Sequence, residues 1–130
     1  MQYAIGKTLL MLLLAAASSG AMAEWVEVGS NDTNTLYVDP AIRWADNTSK
    51  MWVLHDFKVD QLDRGPLKSQ KVQYEYDCSG QRSRMLYFTA HTENMAGGDI
   101  VDFNIVPGEW MPLSENAGQQ ELWKIACGKA

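Results

Sequence analysis

His55 stands beside Asp56, and His91 lies two residues before Glu93. An imidazole and a carboxylate within hydrogen-bond reach are the materials of general acid-base catalysis. Neighbours on a strand project to opposite faces, however, so His55 and Asp56 cannot pair side chain to side chain in the ordinary way. No assembled nucleophile, base or metal set accompanies either histidine, and no catalytic residue is assigned. The acids Glu93, Asp99 and Asp102 flank Gly97-Gly98, but a calcium loop needs a denser oxygen array than NMAGGDIVD supplies. The expectation is a protein that is not an enzyme and holds no metal or cofactor.

Cys78 and Cys127 are the two cysteines of the chain. Their chemistry depends on compartment, and the N-terminus addresses that. MQYAIGKTLLMLLLAAASSGAMAE carries Lys7, an apolar run from Leu9 to Ala17, and small residues closing on Ala21-Met22-Ala23. This order predicts a secretory signal peptide over residues 1–23, cleaved after Ala23, rather than a membrane span, because the apolar run is too short to cross. No cysteine follows the cleavage point to take a lipid anchor, so the mature domain, residues 24–130, is expected in the periplasm or at the cell surface. In an oxidising compartment the single intramolecular pairing is Cys78 with Cys127. A redox pair or metal site is the weaker alternative, since there is no C-x-x-C and neither histidine has ligand spacing to a cysteine.

Removing the leader takes away Lys7 and shifts the formal charge from −5 to −6. What remains is the size of one domain, large enough to bury a core and small enough to profit from a staple. An acidic exported domain is poorly suited to nucleic acid, whose phosphates demand Lys and Arg. A basic protein partner is electrostatically tolerated, though charge alone names none.

Turn signals recur at Gly29-Ser30-Asn31-Asp32, Asp39-Pro40, Asp46-Asn47, Asp63-Arg64-Gly65-Pro66, Ser79-Gly80, Gly97-Gly98 and Pro107-Gly108. Between them lie WVEV, TLYV, MWVLHDFKV, SQKVQYEYDC, RMLYFTAH and DIVDFNIV, runs rich in β-branched and aromatic residues. The pattern predicts an α+β, mainly β fold: a strongly curved antiparallel sheet of about six strands. From Ser114 onward, SENAGQQELWKIACGK has helical spacing and a glycine just past Cys127, which predicts one C-terminal helix starting near Ser114 or just after Gly118.

A period of two puts Val72, Tyr74, Tyr76 and Cys78 on one strand face, where the helix must dock for the cysteines to meet. A three-residue hairpin loop would place Leu86 and Phe88 opposite them, and a two-residue loop Met85 and Tyr87; the former is preferred. In MWVLHDFKV, Trp52 and Leu54 share one face while Met51, Val53, Phe57 and Val59 share the other. Both faces of this strand are apolar, so the sheet closes into a barrel, or a helix or a second chain covers the far side; a homodimer is one expectation. Trp25, Trp52 and Trp123 are expected in the core. Arg43 with Trp44 is the mixture enriched at binding hot spots, and these two, with Gly97 and Gly98, are the candidate contact residues.

Trp25, Tyr37-Val38-Asp39 with Ile42, Trp52 followed by Asp56, Ser69, Tyr76-Asp77-Cys78, Arg84, Trp110, Pro112, Ser114 and Ala126-Cys127 fall in an order that resembles the bacterial surface-adhesin protein E family. The resemblance spans the mature chain. It implies a small antiparallel sheet packed on a C-terminal helix, tied by the cysteine pair and sometimes dimeric, that binds host extracellular proteins such as vitronectin, laminin or plasminogen. The second reading is a lysozyme inhibitor. Its Ser-Gly-x-x-Tyr loop is met here by Ser79-Gly80-Gln81-Arg82-Ser83, which carries the turn and lacks the tyrosine.

Overall fold

The β-branched and aromatic runs become eight antiparallel strands of a single sheet. The computed structural model describes residues 24–59, 66–113 and 117–129; the leader and Ser114 lie outside them. The strands are β1 (Val26–Ser30), β2 (Asn34–Val38), β3 (Arg43–Ala45), β4 (Thr48–Phe57), β5 (Ser69–Asp77), β6 (Arg82–His91), β7 (Ile100–Asn104) and β8 (Met111–Pro112), followed by the helix α1 (Ala117–Ala126). Six of them form the path β1-β2-β4-β5-β6-β7, with β3 paired to β4 and β8 to β6. The two additional strands are short, which is why the sequence pattern merges them into loops. Since β1 and β7 do not pair, the sheet is open and the barrel alternative is excluded.

Cross-strand register decides which side chains share a face. Val38, Val53 and Val72 lie opposite one another across β2, β4 and β5, and Met51 opposes Tyr74. This side receives the helix: Val38, Met51, Val53 and Tyr76 form a core with Leu113 and with Leu122, Trp123 and Ala126 of α1. A bulge at Val28 in β1 turns an additional valine into contact with it.

The end of α1 is built by its last carbonyls. The Gly128 N–H donates to the Ile125 carbonyl at 3.3 Å and the Lys129 N–H to the Lys124 carbonyl at 2.7 Å, with Gly128 at φ 68°. This Schellman arrangement needs a left-handed residue just there, which glycine supplies without steric cost. It sets Cys127 at the helix terminus, where it is joined to Cys78, directly after β5, with 5.6 Å between their Cα atoms. Helix and sheet are thus stapled at one end.

The β5–β6 hairpin departs from both loop lengths considered. Asp77 pairs with Arg82, leaving a four-residue loop, and a bulge beside Gln73 shifts the register, so Phe88 opposes Val72 as expected but Met85 opposes Tyr74. The loop is organised by one carboxylate. Asp77 Oδ1 accepts from the Ser79 and Gly80 N–H groups at 3.1 Å and from Ser79 Oγ at 2.9 Å, and Arg82 Nε donates to Oδ2 at 2.8 Å. A Cβ on Gly80 would fall 2.7 Å from that Oδ2, so the turn excludes any larger residue without displacement.

Candidate functional site

The sheet face turned away from α1 is ordered in rows by the strand register. Arg43, Lys50, Glu75 and Arg84 lie side by side across β3 to β6. The next row holds Trp52, Gln73 and Tyr87, and the one beyond it Glu27, Tyr37, the fully buried Leu54, Lys71, Thr89 and Phe103. Trp52 and Tyr87 stack across Gln73 with ring centroids 6.3 Å apart, and Lys71 Nζ lies 4.8 Å from the Trp52 ring. Trp52 therefore lines an open face instead of the core, and Trp25 is also only half-buried; Trp123 alone of the three is buried as expected.

Beside this aromatic row a groove of about 610 Å³ opens, lined by Trp52, Tyr87, Thr89, Ile100, Phe103 and Ile105. Every residue of the edge strand β7 is exposed, Phe103 to 64% and, just beyond the strand, Ile105 to 63%. Apolar side chains concentrated on an unpaired sheet edge are what proteins ordinarily avoid, and they mark an interaction surface or an association hazard. The edge is partly blunted by its own side chains: the Phe103 N–H donates to Asp102 Oδ1 at 2.9 Å, and the Val106 N–H to Asn104 Oδ1 at 2.8 Å.

After β7 the chain returns to β6 and is held there. The Gly108 N–H donates to the Met85 carbonyl at 2.8 Å, and the Trp110 ring lies 4.9 Å and 4.8 Å from the guanidinium carbons of Arg82 and Arg84. Each arginine is fixed by a cross-strand acid, Arg82 by Asp77 and Arg84 by Glu75, both at 2.8 Å. Neutralised and oriented in this way, the two guanidiniums form a platform for the indole.

The candidate contacts singled out by sequence are not brought together. Arg43 and Trp44 lie on β3 against the start of β4, whereas the Gly97-Gly98 segment sits at the other end of β4. Arg43 belongs to the open face through its pairing with Lys50. Trp44, 56% exposed, belongs to the helix side and stands next to Gly128. The Gly97-Gly98 loop is pinned rather than free. The Met95 N–H donates to Asp56 Oδ1 at 2.8 Å, Asn94 Nδ2 donates to the same oxygen at 3.0 Å, and the Ala96 N–H donates to Ser69 Oγ at 2.9 Å. These bonds hold Met95 and Ala96 at φ 56° and 60°, a left-handed conformation that costs non-glycine residues free energy. Asp56 and Ser69 thus serve the loop; Ser69 lies opposite His91 across β5 and β6, but its hydroxyl is bonded to the Glu93 carbonyl and the Ala96 N–H.

His91 is buried beneath this loop, with Nε2 bonded to Thr89 Oγ1 at 2.8 Å and Nδ1 without a hydrogen-bond partner. Burial and then the nearby Lys71 charge lower its pKa from 6.5, against a smaller opposite pull from the Gly97 carbonyl. His55, on the helix side of the sheet, is lowered by burial. The sign follows from linkage: as pH falls below about 6.5 the unfolded chain takes up these protons before the folded one, so stability is complete above that value and declines below it. Chemical denaturation at pH 7.5 and 5.0 should show the loss, and a His91→Asn variant should show less of it. An unchanged midpoint across that range would refute the assignment.

A single sheet with a helix stapled to one side and an aromatic, cation-bearing face open on the other has the build of a binding domain. The sequence profile described as surface-adhesin protein E matches residues 25–128, and the chain belongs to that family. No curated protein matches it. Membership supports a surface-adhesin-like, protein-binding character, and among the described residues no helix is long and apolar enough to cross a membrane. Of the residues singled out by sequence, Arg43 lies on the open face; Phe103 and Ile105, which line the groove, are not among them, because an exposed apolar edge reads like a buried strand.

Proposed function

We propose that this chain is an exported, noncatalytic domain that binds protein partners through the open face between β4 and β7. The leader over residues 1–23 would direct it out of the cytoplasm, to the periplasm or the cell surface, and a host extracellular protein is the partner class that family membership favours. The observation that carries the reading is the groove of Trp52, Tyr87, Phe103 and Ile105 on an unpaired sheet edge. Buried aromatic anchors supply most of the energy of protein interfaces, and here they stand uncovered.

The test is capture by the oxidised mature chain of partners from a pool of extracellular-matrix proteins and, in parallel, from lysozymes. A saturable matrix ligand is expected, with Phe103→Ser weakening it about tenfold or more, the usual scale for an interface anchor. Capture of lysozyme with loss of its activity would establish the inhibitor reading instead, and an unaffected Phe103→Ser variant would remove the groove from the site. A homodimer would use the same open face, and light scattering at micromolar concentration decides it: the mass of one chain excludes it.

A further inference from the structure

The strands of the open face concentrate cations at the β3–β6 end of an acidic protein. Five of the chain's eleven Lys and Arg residues, Arg43, Lys50, Lys71, Arg82 and Arg84, project from that face, although the formal net charge of the whole chain is −5. Of the acids on these strands, Glu75 and Asp77 are engaged by Arg84 and Arg82 and Asp56 by Asn94 and Met95, while Glu27 ends the Lys71 row on β1, three strands away from that lysine. Among the described residues, Arg43, Lys50 and Lys71 have no carboxylate within ion-pair distance. Arg43 and Lys50 are moreover directly opposite each other on paired strands, an arrangement that destabilises a sheet. Two like charges held side by side next to an aromatic row are favourable once an anion meets them.

We propose that this face recognises an acidic polypeptide segment, its carboxylates meeting Arg43, Lys50 and Lys71 while its apolar residues enter the groove beside Tyr87 and Phe103. The inference rests on the protein-binding reading above and names the chemistry of the partner. A segment of mixed character fits better than a uniformly sulfated glycan, because the unpaired cations are few and the groove adjoining them is apolar. A basic partner such as lysozyme would meet like charge here. Complementary charge of this kind sets association rate and partner choice, and it is screened by salt.

The probe is a synthetic twelve-residue peptide alternating glutamate with leucine and phenylalanine, followed by fluorescence anisotropy with the purified, oxidised protein. Its counterpart with glutamine for glutamate, and a heparin oligosaccharide, serve as controls. Binding of the glutamate peptide is expected at 50 mM salt and should weaken at least tenfold at 500 mM. Arg43→Glu, an exposed change that puts opposite charges across the β3–β4 pair, should weaken binding at least fivefold with thermal melting unchanged or raised. Each of these outcomes overturns the proposal: no binding of the glutamate peptide, equal binding of the glutamine peptide, tighter binding of heparin, or salt-sensitive self-association that occupies the face with a second copy. A captured protein lost in Phe103→Ser but retained in Arg43→Glu would refute the acidic-segment inference and leave the protein-binding reading in place.

Discussion

Serine at both Cys78 and Cys127 is expected to lower the thermal midpoint by about 10 °C or more under oxidising conditions. The bridge closes a loop of 49 sequence steps, for which chain entropy gives roughly 4 kcal/mol. A domain of this size moves by several degrees for each kcal/mol, so even a partly realised staple is conspicuous against a net stability of about 5–15 kcal/mol. The surroundings favour full realisation. Cys127 is nearly inaccessible, and Ser49 Oγ lies 3.9 Å from each sulfur on the floor of the core. Scanning calorimetry of the wild type and the double variant, with and without reductant, checks the expectation. Equal melting of the two oxidised proteins would defeat it.

Trp123→Ala should be nearly as damaging, costing about 3–5 kcal/mol in urea denaturation, the range for truncating a large buried aromatic. Trp123 is 8% exposed within the core, and its Nε1 donates to the Asp77 carbonyl at 2.8 Å. Truncation therefore opens a cavity and also removes the donor from the last residue of β5. Trp123→Phe separates the two effects, since it keeps most of the packing and loses only the hydrogen bond, for about 1 kcal/mol. Because the bridge and the indole hold the same helix to the same strand end, the losses from removing both should not add. A Trp123→Ala variant within 1 kcal/mol of wild type would show that the helix is held by other contacts.

Those two sites were legible because the rules that reveal them are local. Period-two alternation in YEYDC, helical spacing from Ala117, and a glycine after Cys127 each speak within a few residues, and together they bring the cysteines to one place. The hairpin register was not legible in full. A bulge beside Gln73 is an insertion of one residue whose cause lies in how two strands twist against each other, and no side-chain type announces it. The open face was hidden for a different reason. DIVDFNIV looks like a buried strand, and only the strand order shows that β7 is an edge. The charge row was hidden for the same reason, since Arg43, Lys50 and Arg84 are scattered along the chain and become neighbours only through pairing. Gly97 and Gly98 read as candidate contacts, and nothing in the sequence signals that Asp56 and Ser69, from two different strands, hold the adjoining Met95 and Ala96 in a left-handed path.

The staple also imposes an order in time. Cys127 follows every strand in the sequence, so a chain delivered N-terminus first presents Cys78 as a lone thiol until the helix arrives. Through that interval the sheet has to assemble without its covalent tie, and the first sulfur is open to any other thiol that meets it. Closure is then a final act, one that marks a chain as delivered through Cys127 and leaves a truncated product with an unpaired, reactive cysteine.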